Sequence, residues 1–356
     1  MFKSSILILS FLICLVSFHS CNAKTEKTAF VIENVEGKIM LESKDITLPS
    51  DKERCIDYIV KNISLDTIAY LSRGIGSTGI PTLQYTLADT LLTIASEKQL
   101  QEIAMNHKSV VVRAAIFNAL IRKYPHAAVE VTIQGLYDFT PVGTMSGCIE
   151  DIDTLSMLRV HAIVLNKEYY HINDNDYNRL DSILLFSKIT KKMDSYGKLY
   201  KKLNPKPDYY QRLLSLYDKS SYTTPIIAIA KYHKAEDRKR MMELFQYVGY
   251  KKSDGLDDAL QAISEWPDNA YKSYVQSVAK HFLKNKVGFT EDLYSALLCY
   301  EEKWVTPLIE ASMYDYNSQW NLYSAYKDNP RPYYRELFNK CCPNYKDDKE
   351  LQNTCK

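Results

Sequence analysis

From residue 51 onward, apolar residues recur at the three- and four-residue spacing of α-helices rather than at the two-residue spacing of strands. The pattern also repeats along the chain. A shift of 29 residues, from Leu87 to Ile116, superposes two apolar stripes, and the same shift carries Leu100 onto Val129. A short polar break separates the two helices of each unit. Because a helix pair of this size cannot bury its apolar face alone, the recurrence predicts neighbouring pairs that stack.

The C-terminal part of the chain carries a similar but less regular pattern. An apolar pair recurs at intervals of 33 and 34 residues, as Ile229-Ala230, Ala262-Ile263 and Ala296-Leu297. The next predicted helix after each of these carries a second apolar pair: Met241-Met242, Tyr274-Val275 and Leu308-Ile309. The pattern predicts further helix pairs, and it places a boundary between two stacked arrays in the irregular segment that separates the repeated regions.

The segment 106–115 gives the repeat a family resemblance. A short polar turn leads there into Val112-Arg113 and then into Ala114-Ala115. This arrangement resembles the start of a HEAT-like repeat, and the resemblance covers about residues 80–137. It implies an α-solenoid, similar to the HEAT-like proteins common among bacterial lipoproteins of unassigned role. The observed repeat of 29–34 residues is shorter than the roughly 40 residues of other HEAT units.

Together these patterns predict an all-α fold, an α-solenoid of stacked antiparallel helix pairs (HEAT-like) behind a short extended N-terminal tether. Segment 65–72 is predicted to be helical, so the glycine-rich segment 74–79 is interpreted as a connection between helices and not as a dinucleotide-binding loop. The predicted organisation is a lipoprotein signal peptide over 1–20, a tether with a small hairpin over 21–50, HEAT-like helix pairs over 51–137, an irregular helical connector over 138–221, helical repeats over 222–342 and a tail over 343–356.

The first residues predict export. Lys3 precedes thirteen mostly apolar residues over 6–18, and Ser20-Cys21 follows. A basic start, an apolar stretch of about 7–15 residues and a small residue before the cut compose a secretory signal. The Ser20-Cys21 junction resembles a bacterial lipoprotein signal, which implies a lipidated Cys21 at the start of the mature chain and an anchor in the cell envelope. A plain signal peptide cut after Ala23 stays open as the alternative.

Charge and cysteine spacing narrow the choice of function. A net charge of +2 does not indicate the strongly basic surface that binds nucleic acid. The sequence has no Cys-x-x-Cys pair and no histidines three or four residues apart, so no metal site and no cofactor are expected. Cys55 and Cys299 lie in apolar helical patterns and are predicted to be buried. In an oxidising compartment, a disulfide is predicted between Cys355 and either Cys341 or Cys342.

The segment 140–153 is predicted to be a long loop that projects from the helices. It contains Ser146 and Cys148, with Asp151 and Asp153 close by and His161 downstream. A catalytic nucleophile needs a base within hydrogen-bond reach, and a third group must orient that base. Small residues at a bend between two arrays are the simpler interpretation. Because loops often carry function, Ser146 and Cys148 are the candidate loop site.

Tyrosine is abundant, with 28 residues in the chain, and many of them lie in the C-terminal repeats. A tyrosine fills a half-buried position while its hydroxyl stays in water, and it therefore favours interfaces. Packing between the repeats is the competing interpretation. The candidate interaction surface comprises Tyr271, Tyr274, Tyr323, Tyr326, Tyr333 and Tyr334.

The sequence therefore predicts a lipid-anchored helical-repeat scaffold that binds a protein or peptide partner in the bacterial cell envelope and contacts the membrane through its N-terminal lipid. The residue patterns give no catalytic arrangement, so no catalysis is expected. Two alternatives stay open. One is an envelope enzyme with its site in the 140–153 loop, and the other is a binder of small ligands or glycans that uses this loop or the C-terminal tyrosines.

Overall fold

Most of the described chain is helical. The computed structural model describes residues 30–32, 38–41, 44–75, 80–188, 196–250, 253–314 and 316–345. Within these ranges it contains seventeen α-helices, so the prediction of a mostly helical protein is confirmed. The chain divides into two compact units between Ile183 and Leu184, inside the segment where the sequence places the boundary between two arrays. Among the described helices, none combines the length and the apolar character needed to cross a membrane.

A small antiparallel sheet precedes the helices. Its strands are β1 (Phe30–Ile32), β2 (Lys38–Leu41) and β3 (Lys44–Thr47), in that spatial order. Val31 lies opposite Met40 in the pairing of β1 with β2. Strands β1 and β2 therefore pair where the sequence predicts the two arms of a hairpin, and β3 adds a strand that the sequence pattern did not predict.

Local signals explain the helices of the first repeated region. These helices are α1 (Lys52–Ile63), α2 (Leu83–Ile94), α3 (Glu97–Asn106), α4 (Val110–Lys123) and α5 (Pro125–Gln134). Asp51 accepts a hydrogen bond from Arg54 N at 2.9 Å before α1, and Ser96 and Gln99 form a capping box at the start of α3. Helix α4 packs against α2, α3 and α5. It is mostly buried along its length, so it is the central helix of this region.

A four-stranded mixed sheet lies in the same unit, where the sequence predicts a helix and a loop. Its strands are β4 (Ile68–Ile75), β5 (Ile80–Pro81), β6 (Pro141–Gly147) and β7 (Ile149–Thr154), in the spatial order β5-β4-β6-β7. Strands β4 and β6 run parallel, and β6 and β7 run antiparallel. The predicted helix over 65–72 and the predicted loop over 140–153 are both wrong, and the first unit is not all-α.

Strand β4 is stabilised by partners that lie far along the chain. Four helices separate it from its parallel partner β6. From α2, the Gln84 side chain accepts a hydrogen bond from Tyr70 N at 2.8 Å and donates one to the Ile68 carbonyl at 2.9 Å. A short apolar run fits a helix or a strand equally well when it is considered locally. Strand β5 pairs back onto Gly74, so a strand intervenes before α2 and the direct strand-to-helix connection of a dinucleotide-binding loop is not formed.

Two more helices complete the first unit. Helix α6 (Leu155–Leu165) follows β7 directly, and Thr154 caps it by accepting a hydrogen bond from Met157 N at 3.4 Å. It packs against α4, α5 and β7. Helix α7 (Asp174–Phe186) continues across the division between the units. The first part of the predicted connector, 138–221, therefore belongs to the core of the first unit.

In the second unit, alternate helices pack against one another. Helices α10, α12, α14 and α16 each contact the next of this set, and α13 contacts α15. The recurring pairs of the sequence lie on α10, α12 and α14, and they are fully buried. The recurrence thus corresponds to contacts between alternate helices. The helices are α8 (Tyr196–Lys202), α9 (Pro207–Leu216), α10 (Pro225–Ala230), α11 (Ala235–Val248), α12 (Asp254–Glu265), α13 (Lys272–Asn285), α14 (Glu291–Leu298), α15 (Val305–Ser312), α16 (Tyr316–Asp328) and α17 (Arg335–Cys341).

Candidate functional site

A cavity of about 410 Å³ lies in the first unit, between one face of the four-stranded sheet and the helices α4 and α6. We call it the sheet cavity. The sheet contributes Leu71, Thr144, Ser146, Ile149, Asp151 and Asp153, and the helices with their flanking residues contribute Phe117, Asn118, Leu158, His161, Ala162, Leu165, Asn166 and Tyr170.

The sheet side of the cavity follows from strand geometry. Successive side chains of a strand point to opposite faces, so every second residue shares a face. Thr144 and Ser146 are two residues apart on β6, and Ile149, Asp151 and Asp153 alternate in the same way on β7. In the pairing of the two strands, Thr144 lies opposite Asp151. The register thereby places two carboxylates and two hydroxyls on one surface.

The helix side of the cavity follows from helix periodicity. Leu158, His161, Ala162 and Leu165 are spaced by three and four residues on α6, so they share one face. His161 Nδ1 lies 3.6 Å from Asp153 Oδ2, and each of the two side chains is about 30% exposed. The other ring nitrogen of His161, Nε2, is enclosed and has no hydrogen-bond partner in the described part of the chain.

Asn118 of α4 and Tyr170, in the turn after α6, also line the cavity. Asn118 is 8% exposed, and its Nδ2 donates a hydrogen bond to the Leu71 carbonyl at 2.9 Å. This bond ties α4 to strand β4 and fixes the orientation of the amide. Burial and the neighbouring Tyr169 raise the pKa of Tyr170, so its hydroxyl stays protonated and available to donate at neutral pH.

The candidate residues Ser146 and Cys148 prove to occupy the end of a β-hairpin. Ser146 pairs with Ile149, so Gly147-Cys148 form a two-residue turn. The φ of Gly147 is +60°, as a type II′ turn requires at its first central position, and Gly147 N donates to Ser72 Oγ at 2.8 Å. Ser146 lines the cavity, whereas Cys148 is exposed at the turn and is not among the lining residues.

The structure brings together most of the residues that the sequence grouped around this segment. Ser146, Asp153 and His161 all line the sheet cavity. No hydrogen bond joins Ser146 to His161 among the described residues, since Nε2 lacks a partner and Nδ1 faces Asp153. The arrangement therefore presents polar groups to the cavity without joining the serine to a base.

Sequence reasoning missed Thr144, Asn118 and Tyr170. The signal for Thr144 was present, because alternate residues of 142–146 and of 149–153 form two short strand patterns around a glycine turn. For Asn118, the sequence offers only a polar residue within a strongly apolar helix. For Tyr170, no local signal distinguishes it from the other tyrosines.

The predicted tyrosine surface is wrong for five of its six members. Tyr333 is 49% exposed, whereas Tyr271, Tyr274, Tyr323, Tyr326 and Tyr334 are each at most 9% exposed. Tyr274, for example, stacks on Phe245 with ring centroids 4.5 Å apart and donates to the Gly249 carbonyl at 2.9 Å. The buried tyrosines pack helices together, as the competing interpretation held. Residue spacing alone does not separate the inner face of a stacked helix from its outer face.

The cysteines and the terminal predictions have mixed outcomes. Cys55 is buried, as predicted, and Cys299 is partly buried. The described residues contain no group of side chains able to hold a metal ion. Cys341 and Cys342 are buried and form no disulfide with another described residue. Their predicted partner Cys355 lies outside the described residues, as does Cys21 with both cleavage positions.

Comparisons with models of protein families, with curated proteins and with solved structures find no match to this chain. The resemblance to HEAT-like lipoproteins therefore stays a prediction from the sequence. The function proposed below rests on the geometry of the sheet cavity.

Proposed function

We propose that this chain is a binding protein whose first unit holds a small polar organic ligand in the sheet cavity. The observation that supports this proposal is the cavity itself. Its volume of about 410 Å³ lies within the range of about 300–1,000 Å³ that is usual for ligand pockets. A water molecule occupies about 30 Å³, so a single ion or water would leave most of this space empty.

The lining supports an organic ligand with both apolar and polar parts. Leu71, Phe117 and Leu158 provide apolar surface, and the carboxylates of Asp151 and Asp153 lie on the sheet side. Ligand pockets typically combine apolar walls with a few convergent polar groups that fix orientation. Because all of these groups belong to packed strands and helices, the site is preformed rather than assembled by a mobile loop.

The proposed location is the bacterial cell envelope. The basic start, the apolar run and the Ser20-Cys21 junction support export and lipid anchoring at Cys21. We place the helix pairs in an α-solenoid and the residues 21–50 in a tether between lipid and body. Support for the solenoid comes from the contacts between alternate helices α10, α12, α14 and α16.

A second candidate function is the binding of a protein or peptide partner by the second unit. Exposed aromatic side chains near the start of α16 favour it: Tyr314 is 50% exposed, Tyr316 63% and Trp320 48%. Large exposed aromatic residues are enriched at protein interfaces. Replacing Tyr316 and Trp320 with alanine would abolish capture of a partner if this surface binds one, and would leave ligand binding in the sheet cavity unchanged.

The test of the cavity is a pair of variants that add the same bulk on opposite faces of the hairpin. Ser146→Phe places a phenyl ring towards the cavity, and Ile152→Phe places one on the other face, where Ile152 is 77% exposed. Thermal unfolding is measured with a panel of small neutral, cationic and anionic organic compounds. A ligand at 100 times its Kd adds about 2.7 kcal/mol to the free energy of unfolding.

We expect at least one class of compound to raise the melting temperature of the native protein and of Ile152→Phe, but not that of Ser146→Phe. Unliganded melting curves show whether each variant folds. A compound that stabilises Ser146→Phe as strongly as the native protein binds elsewhere, and that result would refute the cavity as the site. A panel that stabilises none of the three proteins would also count against the proposal.

A further inference from the structure

The charged side chains that line the sheet cavity are of one sign. Asp151 and Asp153 contribute two carboxylates, and the lining set contains neither lysine nor arginine. Each carboxylate is held by a backbone amide, because Asp151 Oδ1 accepts from Ile152 N at 2.8 Å and Asp153 Oδ1 accepts from Thr154 N at 2.7 Å. Asp151 Oδ2 has no hydrogen-bond partner among the described residues, and Asp153 Oδ2 faces His161.

Asn118 adds an acceptor of a different kind. It is more than nine-tenths buried and lines the cavity. Its Nδ2 is engaged by the Leu71 carbonyl, so Oδ1 is its remaining polar atom. That oxygen has no hydrogen-bond partner in the described part of the chain, and it is not fully enclosed by protein atoms. A buried side chain of a packed helix thus offers the cavity an acceptor in a fixed orientation.

Two arginines close to the cavity are engaged by other groups. Arg122, one turn along α4 from Asn118, is paired with Asp89 at 2.6 Å. Arg159 is fully buried and donates to the Ala104 carbonyl at 2.5 Å. His161 is the one lining side chain able to carry a positive charge, and its Nδ1 already faces Asp153. The carboxylates therefore dominate the charge of the lining, and the hydroxyls of Ser146 and Tyr170 can donate or accept beside them.

We infer that the ligand of the sheet cavity carries a cationic nitrogen, as a small organic amine or guanidine with a short apolar body. This inference rests on the proposed function. An ammonium group has three donors and no acceptor, so Asp151 Oδ2 and Asn118 Oδ1 can each accept a hydrogen bond from it, and the charge of Asp153 adds attraction. Leu71 and Phe117 pack against the carbon skeleton. A ligand carboxylate or phosphate would meet two carboxylates in a lining that contains neither lysine nor arginine, and it is disfavoured by charge.

The inference is tested with three probes that share one ring: cyclohexylamine, cyclohexanol and cyclohexanecarboxylate. Glucosamine, glucose and glucuronate provide a second trio with a polar ring. Titration calorimetry is expected to show that each amine binds at least about tenfold more tightly than its neutral analogue, and that neither carboxylate binds. Asp151→Asn should reduce the advantage of the amine by about tenfold. Glu150→Gln removes the same charge from the adjacent residue on the opposite face, and it should leave the advantage unchanged.

The possible outcomes distinguish a failure of the cation inference from a failure of the proposed ligand-binding function. If the neutral ring binds as tightly as the amine and Ser146→Phe abolishes both, the cavity binds small ligands but the inference of a cation is overturned. If a carboxylate binds more tightly than the amine, the inference is likewise overturned. If none of the probes and none of the wider panel binds, the proposed function itself fails. Equal losses in Asp151→Asn and Glu150→Gln would show that the charge acts at long range and not in the site.

Discussion

At the scale of single residues, the first unit depends on a buried arginine. Arg159 is fully buried on α6, and its guanidinium lies 5.7 Å from the centre of the Phe117 ring. Burial lowers the pKa of Arg159 to about 10, so the side chain stays charged at neutral pH. Its donors need partners, because an unsatisfied buried charged group is costly. The hydrogen bond from Arg159 to the Ala104 carbonyl therefore links α6 to α3.

Gly135→Ala tests this arrangement. A Cβ at position 135 would collide with Arg159 Nη1 and would lie 3.0 Å from the Val131 carbonyl oxygen. Since the enclosed guanidinium cannot move without losing its hydrogen bond, we expect the free energy of unfolding to fall by about 1–3 kcal/mol. Gly288→Ala is the control, because its Cβ would meet the Tyr314 hydroxyl at 3.8 Å. Denaturant unfolding measures both, and equal midpoints for the two variants would disprove the role of Gly135.

A second residue-scale prediction concerns pH. His126 Nδ1 lies 2.8 Å from Asp176 Oδ2, and the hydrogen bond and charge of Asp176 raise the pKa of His126. A histidine whose pKa is raised by folding stabilises the fold fully below its unfolded value of about 6.5, and this contribution is lost as the pH rises through the folded value. His126→Gln should therefore lower the melting temperature at pH 6, and by less towards pH 9. Asp176→Asn should remove the same pH-dependent part, and a constant difference across this range would contradict the pairing.

At the scale of elements, local signals were enough for the helices α2 to α5 and not for strand β4. Capping residues such as Ser96 and the three- and four-residue apolar spacing lie within or beside α2 to α5 themselves, so a local window contains these signals. Strand β4 depends on hydrogen bonds to β6 and to Gln84 of α2, and a local window contains neither partner. Parallel pairing always requires a distant segment, so this part of the fold could not be derived from a local apolar pattern.

The candidate site could also be predicted only as far as local sequence signals reach. Ser146, Asp153 and His161 were grouped because they are close in sequence, and β7 leads directly into α6. Asn118 and Leu71 come to the cavity from other elements, and they meet through the hydrogen bond between α4 and β4. Short-range proximity could therefore predict one half of the cavity, while the other half depends on tertiary packing.

The buried tyrosines give an element-scale prediction. Tyr274 of α13 is 8% exposed, and its ring and hydroxyl contact Phe245 and Gly249. Tyr274→Ala removes a packed aromatic ring, so we expect a loss of about 3–5 kcal/mol in the free energy of unfolding. Tyr333 is 49% exposed, and Tyr333→Ala should change it by no more than about 0.5 kcal/mol. Chemical denaturation compares the two, and similar losses would show that Tyr274 does not hold α11 and α13 together.

At the scale of the whole molecule, the two units have different organisations. The second unit is a succession of helices in which contacts recur between alternate members, so its stability should be distributed over many local interfaces. The first unit combines a mixed sheet with helices, and the sheet provides the face that lines the cavity. The site candidate therefore lies where the chain departs from the simple helical repeat, and the repeat pattern alone did not locate it.

The final prediction concerns where the molecule resides, and it depends on Cys21. Burial of each methylene of an acyl chain contributes about 0.8 kcal/mol, and a single chain binds marginally while two or more hold stably. We expect the mature protein to fractionate with membranes and to enter detergent. Cys21→Ala should release a soluble form or leave the precursor differently processed, whereas Cys148→Ala should stay with the membrane, because Cys148 is an exposed thiol of the folded body. Intact-mass measurement of the mature N-terminus decides the matter: a chain that begins at Lys24 with no added lipid mass would establish the plain signal peptide and refute the anchor.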